Sequence, residues 1–319
     1  MHAVACVAAV TSVASRAADA ARRSAEKRRS IGGTDVLRLV DDAADGCDGY
    51  VVDRYGDVIR VEVRGSSWRD ADAVARACSD VGVSAAVGLL RTAGGKSDMR
   101  VLFGAPPIAH VVHENGVRLL VRTVDDDAAG AGVFVDHRNG RALVRRRAPG
   151  AAVLNLFAHA GAFGAAAVAG GAARVDHVDA AKKCAPWAAF NVALNGDDPR
   201  RHRFLVDDAL SFVKKRAKKG AQYDVVICDP PTTAVRPDGA RFHVERDLPQ
   251  LASDCVAMLR PRGLLVLSTN DRHLSVDDVA AIARDAGAAR VDEIELPDDV
   301  PTRADPQLRP MRGVAAYVP

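Results

Sequence analysis

The chain has 319 residues, 48% hydrophobic and 27% charged, a balance that excludes a wholly disordered polymer and leaves room for two domains. Aromatics are only 4%, so any core must be built from small and β-branched side chains. The formal net charge of +3 neither demands nor excludes a nucleic-acid partner.

Residues 1–30 read as a helical or flexible extension rich in Ala, with Arg22, Arg23, Lys27, Arg28 and Arg29 clustered late. Ser and Arg there also fit a transit peptide, against which Asp19 and Glu26 count; no basic region precedes Met1–Ser15 as a secretory signal requires. Ile31-Gly32-Gly33 breaks the helical pattern.

Residues 31–122 read as a small α+β domain. Val36–Val40, Tyr50–Tyr55 and Val58–Val63 are strand-like, the last two joined by Gly56-Asp57 as a hairpin. Asp70–Val83 has helical spacing, and Ala85–Leu90, Val101–Phe103 and Ile108–Val112 return to strands.

Residues 123–319 alternate strands with helices. Strands are expected at Ala152–Phe157, Arg174–Val178, Arg203–Val206, Tyr223–Cys228 and Gly263–Ser268. Helices are expected at Gly164–Ala169, Lys182–Asn195, Ala209–Ala217, Leu248–Leu259 and Val276–Ala286. That alternation implies an α/β domain with a mostly parallel sheet covered on both faces. In such sheets ligands gather at the carboxyl ends of the strands. Ala148–Ala173 is uncharged and long enough to span a membrane, but Asn155, His159 and its glycines read better as buried strand, glycine loop and helix. A soluble, cytoplasmic protein is expected. Six cysteines without a C-x-x-C pair argue against a disulfide scaffold, and no metal site is expected.

The polar residues fall where that sheet would present a ligand. The first strand runs through Asn155 and Phe157 into Ala158-His159-Ala160-Gly161, small residues that let backbone pass close to a nucleotide-like ligand. The three-glycine dinucleotide spacing is absent, which disfavours a nicotinamide enzyme. Asp179 ends the second strand, where a carboxylate can accept ribose hydroxyls or cap the next helix. Asp207-Asp208 end the third, where a side-chain acceptor can meet an adenine amino group or cap the next helix. Asp229-Pro230-Pro231 end the fourth, a rigid turn able to hold a planar ring beside a reactive group.

Asn155-Leu156-Phe157 with Gly161, Val178-Asp179, Asn191 with Asn195-Gly196, Asp208 and Asp229-Pro230-Pro231 resemble the class I S-adenosylmethionine-dependent methyltransferases. More narrowly, the chain resembles the large-subunit ribosomal RNA methyltransferases of the RlmI and RlmK type, also through Tyr50–Gly56 and Gly132–Arg138. The cytosine carbon-5 members carry a cysteine after the strand that follows Asp-Pro-Pro. Here that segment reads Leu267-Ser268-Thr269-Asn270-Asp271-Arg272 and is similar to the guanine-N7 branch, as is Phe242–Asp247. No N-terminal PUA-type RNA-binding domain is expected, since only about thirty residues precede the small domain.

The resemblance implies a Rossmann-like domain with a seven-stranded sheet, S-adenosylmethionine as cofactor and 23S-type ribosomal RNA as partner, with a homodimer open. Phe134, Asp136 and Arg138 would shape the cofactor entrance, Asn155, Phe157 and Gly161 the methionine end, Asp179 the ribose and Asp208 the adenine. Asp229, Pro230 and Pro231 would be catalytic, with Asp229 also in the cofactor-binding set, holding the target base or the donor. Arg236, Arg241, Phe242, Arg246 and Asn270 are the RNA candidates, Phe242 as the stacking platform. Arg138 could equally make a surface salt bridge. Arg145–Arg147, Arg200–Arg203 and Lys214–Lys219 are further basic clusters that suit phosphates or solvated faces. Methylation of cytosine carbon 5, of a small molecule or of a protein, and a non-catalytic assembly factor, remain alternatives.

Overall fold

The computed structural model describes residues 13–24, 26, 33–65, 67–91, 97–124, 130–301 and 309–319. The first twelve residues of the expected extension, its Lys27, Arg28 and Arg29, and Ile31-Gly32 lie outside them. Two compact units result: one runs to Val135 and takes in Pro297–Thr302, and the other is formed by Asp136–Leu296 and the last residues of the chain. The first unit thus extends past residue 122, because Arg122 N–H bonds Ala131 O and the Tyr55 hydroxyl reaches Val133 O.

The first unit opens with helix α1 (13–24), whose Ala17, Ala20 and Ala21 are packed into the unit's core. The order continues β1 (Val36–Asp41), β2 (Tyr50–Tyr55), β3 (Val58–Arg64), α2 (Ala71–Ala77), β4 (Ala85–Arg91) and β5 (Ser97–Phe103). These strands form one sheet in chain order, with β3 and β4 parallel across α2 and the other pairs antiparallel. A separate hairpin follows, β6 (His110–Glu114) and β7 (Val117–Val121). Its strand lies two residues later than the expected Ile108–Val112. Asn115 and Gly116, both left-handed (φ 51° and 78°), make the two-residue turn that sets this register.

The second unit starts with α3 (Arg138–Arg147), an arginine-rich amphipathic helix that the sequence reading did not separate. It continues β8 (Ala152–Leu156), α4 (Ala162–Ala169), β9 (Arg174–Asp179), α5 (Cys184–Leu194), β10 (Arg203–Val206), α6 (Ala209–Lys218) and β11 (Tyr223–Cys228). Then come β12 (Thr233–Val235), β13 (Arg241–His243), α7 (Val244–Val256), β14 (Leu259–Thr269), α8 (Val276–Asp285), β15 (Arg290–Glu293) and β16 (Arg312–Tyr317). The seven-stranded sheet has the order β10-β9-β8-β11-β14-β16-β15, and β16 is its antiparallel member.

Alternation along the strands builds both cores. Leu154 and Leu156 face α6, α7 and α8, while Val153 on the same strand faces α3, α4 and α5. The uncharged Ala148–Ala173 is therefore β8, a loop and α4. No helix among the described residues is long and apolar enough to cross a membrane. Helix α7 begins at Val244 rather than Leu248, since Asp247 Oδ2 accepts the N–H of His243 and starts the turn early. Leu259 belongs to β14, which begins four residues before the expected Gly263.

β8 and β11 run parallel, but the direction in which successive strands are added reverses between them. The chain leaves β8 toward β9 and β10, and leaves β11 toward β14. A crevice opens at such a switch point, at the carboxyl ends.

Candidate functional site

Register places the two ends that matter side by side. Leu156 pairs with Cys228, so Phe157 and Asp229 leave adjacent strands at one level. The loop after β8 is tightly curved: Phe157 (φ 51°), His159 (φ 47°) and Gly161 (φ 76°) are all left-handed. Two non-glycine residues in that region cost on the order of 1–3 kcal/mol each. Several contacts hold the loop there. Asn191 on α5 is fully buried and its Nδ2 donates to Ala160 O at 2.8 Å; Ala158 N–H bonds Val178 O at 3.0 Å. A Cβ on Gly161 would stand 2.6 Å from that of Ala188, so α5 itself requires the glycine.

Asp179 ties the loop to β9. Its Oδ2 accepts the N–H of His159 and its Oδ1 that of Ala181, both at 2.8 Å. The Cys184 thiol lies near Asp179; burial, reinforced by that carboxylate, pushes Cys184 up to about 12, so it stays a thiol. A small, partly open hollow adjoins these groups, lined in part by Asp179, Cys184, Ala188, His177 and Phe204.

Two polar side chains below the loop lack partners. Asn155 and His177 sit opposite each other on β8 and β9. Asn155 Nδ2 and both ring nitrogens of His177 are buried without hydrogen bonds. Burial first, then the neighbouring His202, pushes His177 down to about 3, so the ring is neutral. It stacks on Phe204 at 4.8 Å.

Asp229 is held from two sides. Ser268 Oγ donates to Oδ1 at 2.7 Å, and His137 Nε2 stands 3.3 Å from Oδ2. Pro230 is buried and Pro231 exposed. Thr232 Oγ1 donates to Oδ1 of exposed Asn270 at 3.0 Å, joining the ends of β11 and β14. The sequence reading passed over His137 and Ser268, although both stand inside motifs it quoted.

Several expectations change. Phe242 is 1% exposed and packs against Phe157 at 6.1 Å, so it offers no stacking platform; β13 turns Arg241 and His243 outward and Phe242 in. Arg236 is not a free cation for RNA. Its Nε and Nη2 grip Asp208, whose Oδ1 also accepts the N–H of Ser211 and caps α6. Asp208 therefore does not stand open toward an adenine. Arg246 pairs with Asp247, while Arg241 is exposed on β13. Arg138 is 2% exposed at the start of α3, which removes the surface-salt-bridge reading; Asp136 beside it is half-buried. Phe134 belongs to the first unit and is 45% exposed. In the cluster at 200–203, Arg200, Arg201 and Arg203 pair with Asp198, Asp197 and Asp176.

A family model described as S-adenosylmethionine-dependent methyltransferase matches residues 78–316. The ribosomal RNA large subunit methyltransferase K/L of Methylococcus capsulatus is 36% identical over 194 residues, covering 60% of this chain and 25% of that one. Its counterpart in Vibrio cholerae is 34% identical over 189 residues, covering 59% and 26%. The chain thus spans about a quarter of the length of the curated relatives it matches. Among solved structures, a methyltransferase complexed with S-adenosylhomocysteine superposes with a TM-score of 0.85 at 24% identity, over 97% of this chain and 82% of that one.

The residues present suit the methyl donor of that family. Asn155 offers an unsatisfied buried donor, the loop before α4 leads into a helix N-terminus suited to a carboxylate, and Asp179 retains acceptor capacity for hydroxyls.

Proposed function

The chain belongs to the S-adenosylmethionine-dependent methyltransferase family, and we propose that it methylates a guanine at N7 in large-subunit ribosomal RNA, in the cytoplasm. The observation that carries this reading is the position of Asp229. Its carboxylate is fixed beside the loop after β8, where a methyl donor and a flat base can meet.

Bound there, S-adenosylmethionine would supply a methyl group on a positively charged sulfur; the N7 lone pair would take the methyl, the carbon–sulfur electron pair would stay on sulfur, and the positive charge would pass to the guanine ring. N7 carries no proton, so the protein need not remove one before transfer. Asn155, the Phe157–Gly161 loop and Asp179 would hold the donor. The Asp229 carboxylate would face the charge arriving on the base, a fixed negative group placed where positive charge develops. Pro230 and Pro231 would keep that turn from yielding as the base docks. Arg241, Arg246 and Asn270 are the exposed members of the expected RNA set; Arg246 is paired with Asp247, so Arg241 and Asn270 would border the base.

Carbon-5 attack on cytosine needs a cysteine at the site. Cys228 and Cys255 are both fully buried, on β11 and α7, which supports transfer to nitrogen. The RNA substrate draws on the relatives, whose names specify large-subunit ribosomal RNA.

A second reading, a small-molecule or protein substrate, draws on the pairing of Arg200, Arg201, Arg203, Arg236 and Arg246 with acids. Incubation with isotope-labelled S-adenosylmethionine and unmodified large-subunit ribosomal RNA, followed by nucleoside mass spectrometry, separates the two. Label in 7-methylguanosine is expected. Cofactor binding without label in any nucleoside would overturn the RNA reading.

A further inference from the structure

A carboxylate at the end of a strand can rotate about its χ2 torsion and present either oxygen or neither. That of Asp229 cannot do so freely, because each oxygen already has a neighbour. Ser268 Oγ reaches Oδ1 from β14 at 2.7 Å, and His137 Nε2 stands 3.3 Å from Oδ2. The two supports differ in kind. Ser268 is the next strand's neighbour, whereas His137 comes from the turn before α3, far away in sequence.

The imidazole has little freedom of its own. Its side chain is 8% exposed, against 25% for Asp229, so it lies behind the carboxylate rather than beside it in solvent. Phe163 on α4 packs edge-on to the ring at 5.6 Å and 74°. Gly140, one turn into α3, brings that helix against the same phenyl ring: a Cβ there would stand 3.4 Å from it. Backing by α3, α4 and Phe163 fixes the ring plane, and with it the direction of Nε2.

We propose that His137 is a positioning residue for methyl transfer: through Nε2 it clamps Oδ2 of Asp229, so that with Ser268 on Oδ1 the carboxylate plane is set before the base arrives. A carboxylate has about four acceptor sites, so two remain for the substrate side after both clamps are made. A group held before the reaction need not be reoriented in the transition state, and misplacement by about 1 Å can cost on the order of a hundredfold in rate. This inference rests on the reading of Asp229 as the group facing the target base.

The test compares His137→Phe, which keeps a flat ring against Phe163 but has no N–H, with His137→Gln, which restores an amide donor at similar reach. Each is measured for single-turnover methyl transfer to unmodified large-subunit ribosomal RNA, for S-adenosylmethionine affinity by calorimetry, and for Tm. His137→Phe is expected to slow transfer by at least about tenfold while leaving donor affinity within about twofold, as loss of geometry rather than of binding requires. His137→Gln is expected to recover most of the rate. In the Asp229→Ala background, His137→Phe is expected to add almost nothing, since the clamped group is gone. Ser268→Ala supplies a second variant should His137→Phe fold poorly, with the same pattern expected. Wild-type rate in His137→Phe, no recovery in His137→Gln, or donor affinity lost in step with rate would each overturn the inference. Wild-type turnover in Asp229→Ala would instead overturn the reading of Asp229 on which it stands.

Discussion

Asp208 and Arg236 form a fork: Nε and Nη2 of the guanidinium meet the two carboxylate oxygens at 3.2 and 2.9 Å. The pair joins the start of α6 to the loop between β12 and β13. Both groups are largely buried, with side chains 13% and 21% exposed, so the bond is shielded from solvent more than an ordinary surface pair.

The fork gives stability a pH signature. Burial alone would raise Asp208, but the hydrogen bonds from Arg236 and the Ser211 N–H outweigh it and hold the carboxyl below the usual range. A carboxylate lowered on folding stabilises above its unfolded value of ~3.9, and that contribution is lost as pH falls through the folded value. Arg236→Met should therefore lower stability by about 1–2 kcal/mol at pH 7. The gap from wild type should close as pH drops below about 4. Thermal melts from pH 7 to 2.5 check this; a constant offset would refute the assignment. The same variant should leave the salt slope of RNA binding unchanged, because Arg236 is not free to contact phosphate.

Asp179→Ala removes the acceptors for His159 N–H and Ala181 N–H as well as those left for a ribose. S-adenosylmethionine affinity should fall by at least about tenfold, equivalent to ~1.4 kcal/mol. Asp179→Asn, which keeps one acceptor oxygen, should fall between. Calorimetry decides, and unchanged affinity in the alanine variant would remove Asp179 from the cofactor site.

Gly164 and His177 occupy each other's space. A Cβ at Gly164 would lie 2.0 Å from His177 Cε1, and the ring cannot retreat because Phe204 stacks on its other side. Gly164→Ala should destabilise the second unit by about 1–3 kcal/mol through overpacking. Adding His177→Ala should restore much of the loss, since it removes the ring and its two unpartnered nitrogens. A double variant no more stable than Gly164→Ala would show that the glycine serves another purpose.

The five cysteines among the described residues should be inert in the native protein. Burial pushes Cys47 up to about 11, and Cys78 and Cys184 up to about 12, while Cys228 is raised by its hydrogen bond with Cys255 and then by burial. At pH 8 a thiol with a value near 11 carries only about one thiolate per thousand molecules. Iodoacetamide at that pH, read by peptide mass spectrometry, should label none of Cys47, Cys78, Cys184, Cys228 and Cys255 until the protein is denatured. A native adduct on Cys228 or Cys255 that abolishes transfer would reopen a covalent pyrimidine mechanism.

Much of the second unit was legible in the residues themselves. Apolar runs of four to six residues alternating with helical spacing announced a parallel sheet, and Gly161, Asp179, Asp208 and Asp229 stood at the strand ends where such a sheet presents a ligand. Those features depend on local periodicity, which a linear reading can measure. Short elements escaped it. The hairpin of β12 and β13 has three residues per strand, too few for alternation to show that Phe242 points inward and Arg241 outward. The turn at Asn115-Gly116 was visible and went unread, which displaced β6 by two residues.

The alternation of elements, the strand-end carboxylates and the family of the Asp-Pro-Pro turn are written in the linear order of residues. What those carboxylates touch is set by folding: Arg236 on Asp208, Ser268 and His137 on Asp229, and the backbone of the β8 loop on Asp179. The reason is that a backbone repeat recurs within a few residues and is written locally. A partner 28 or 39 positions away, as in Arg236–Asp208 and Ser268–Asp229, is chosen by register and helix packing, which no short window of sequence contains.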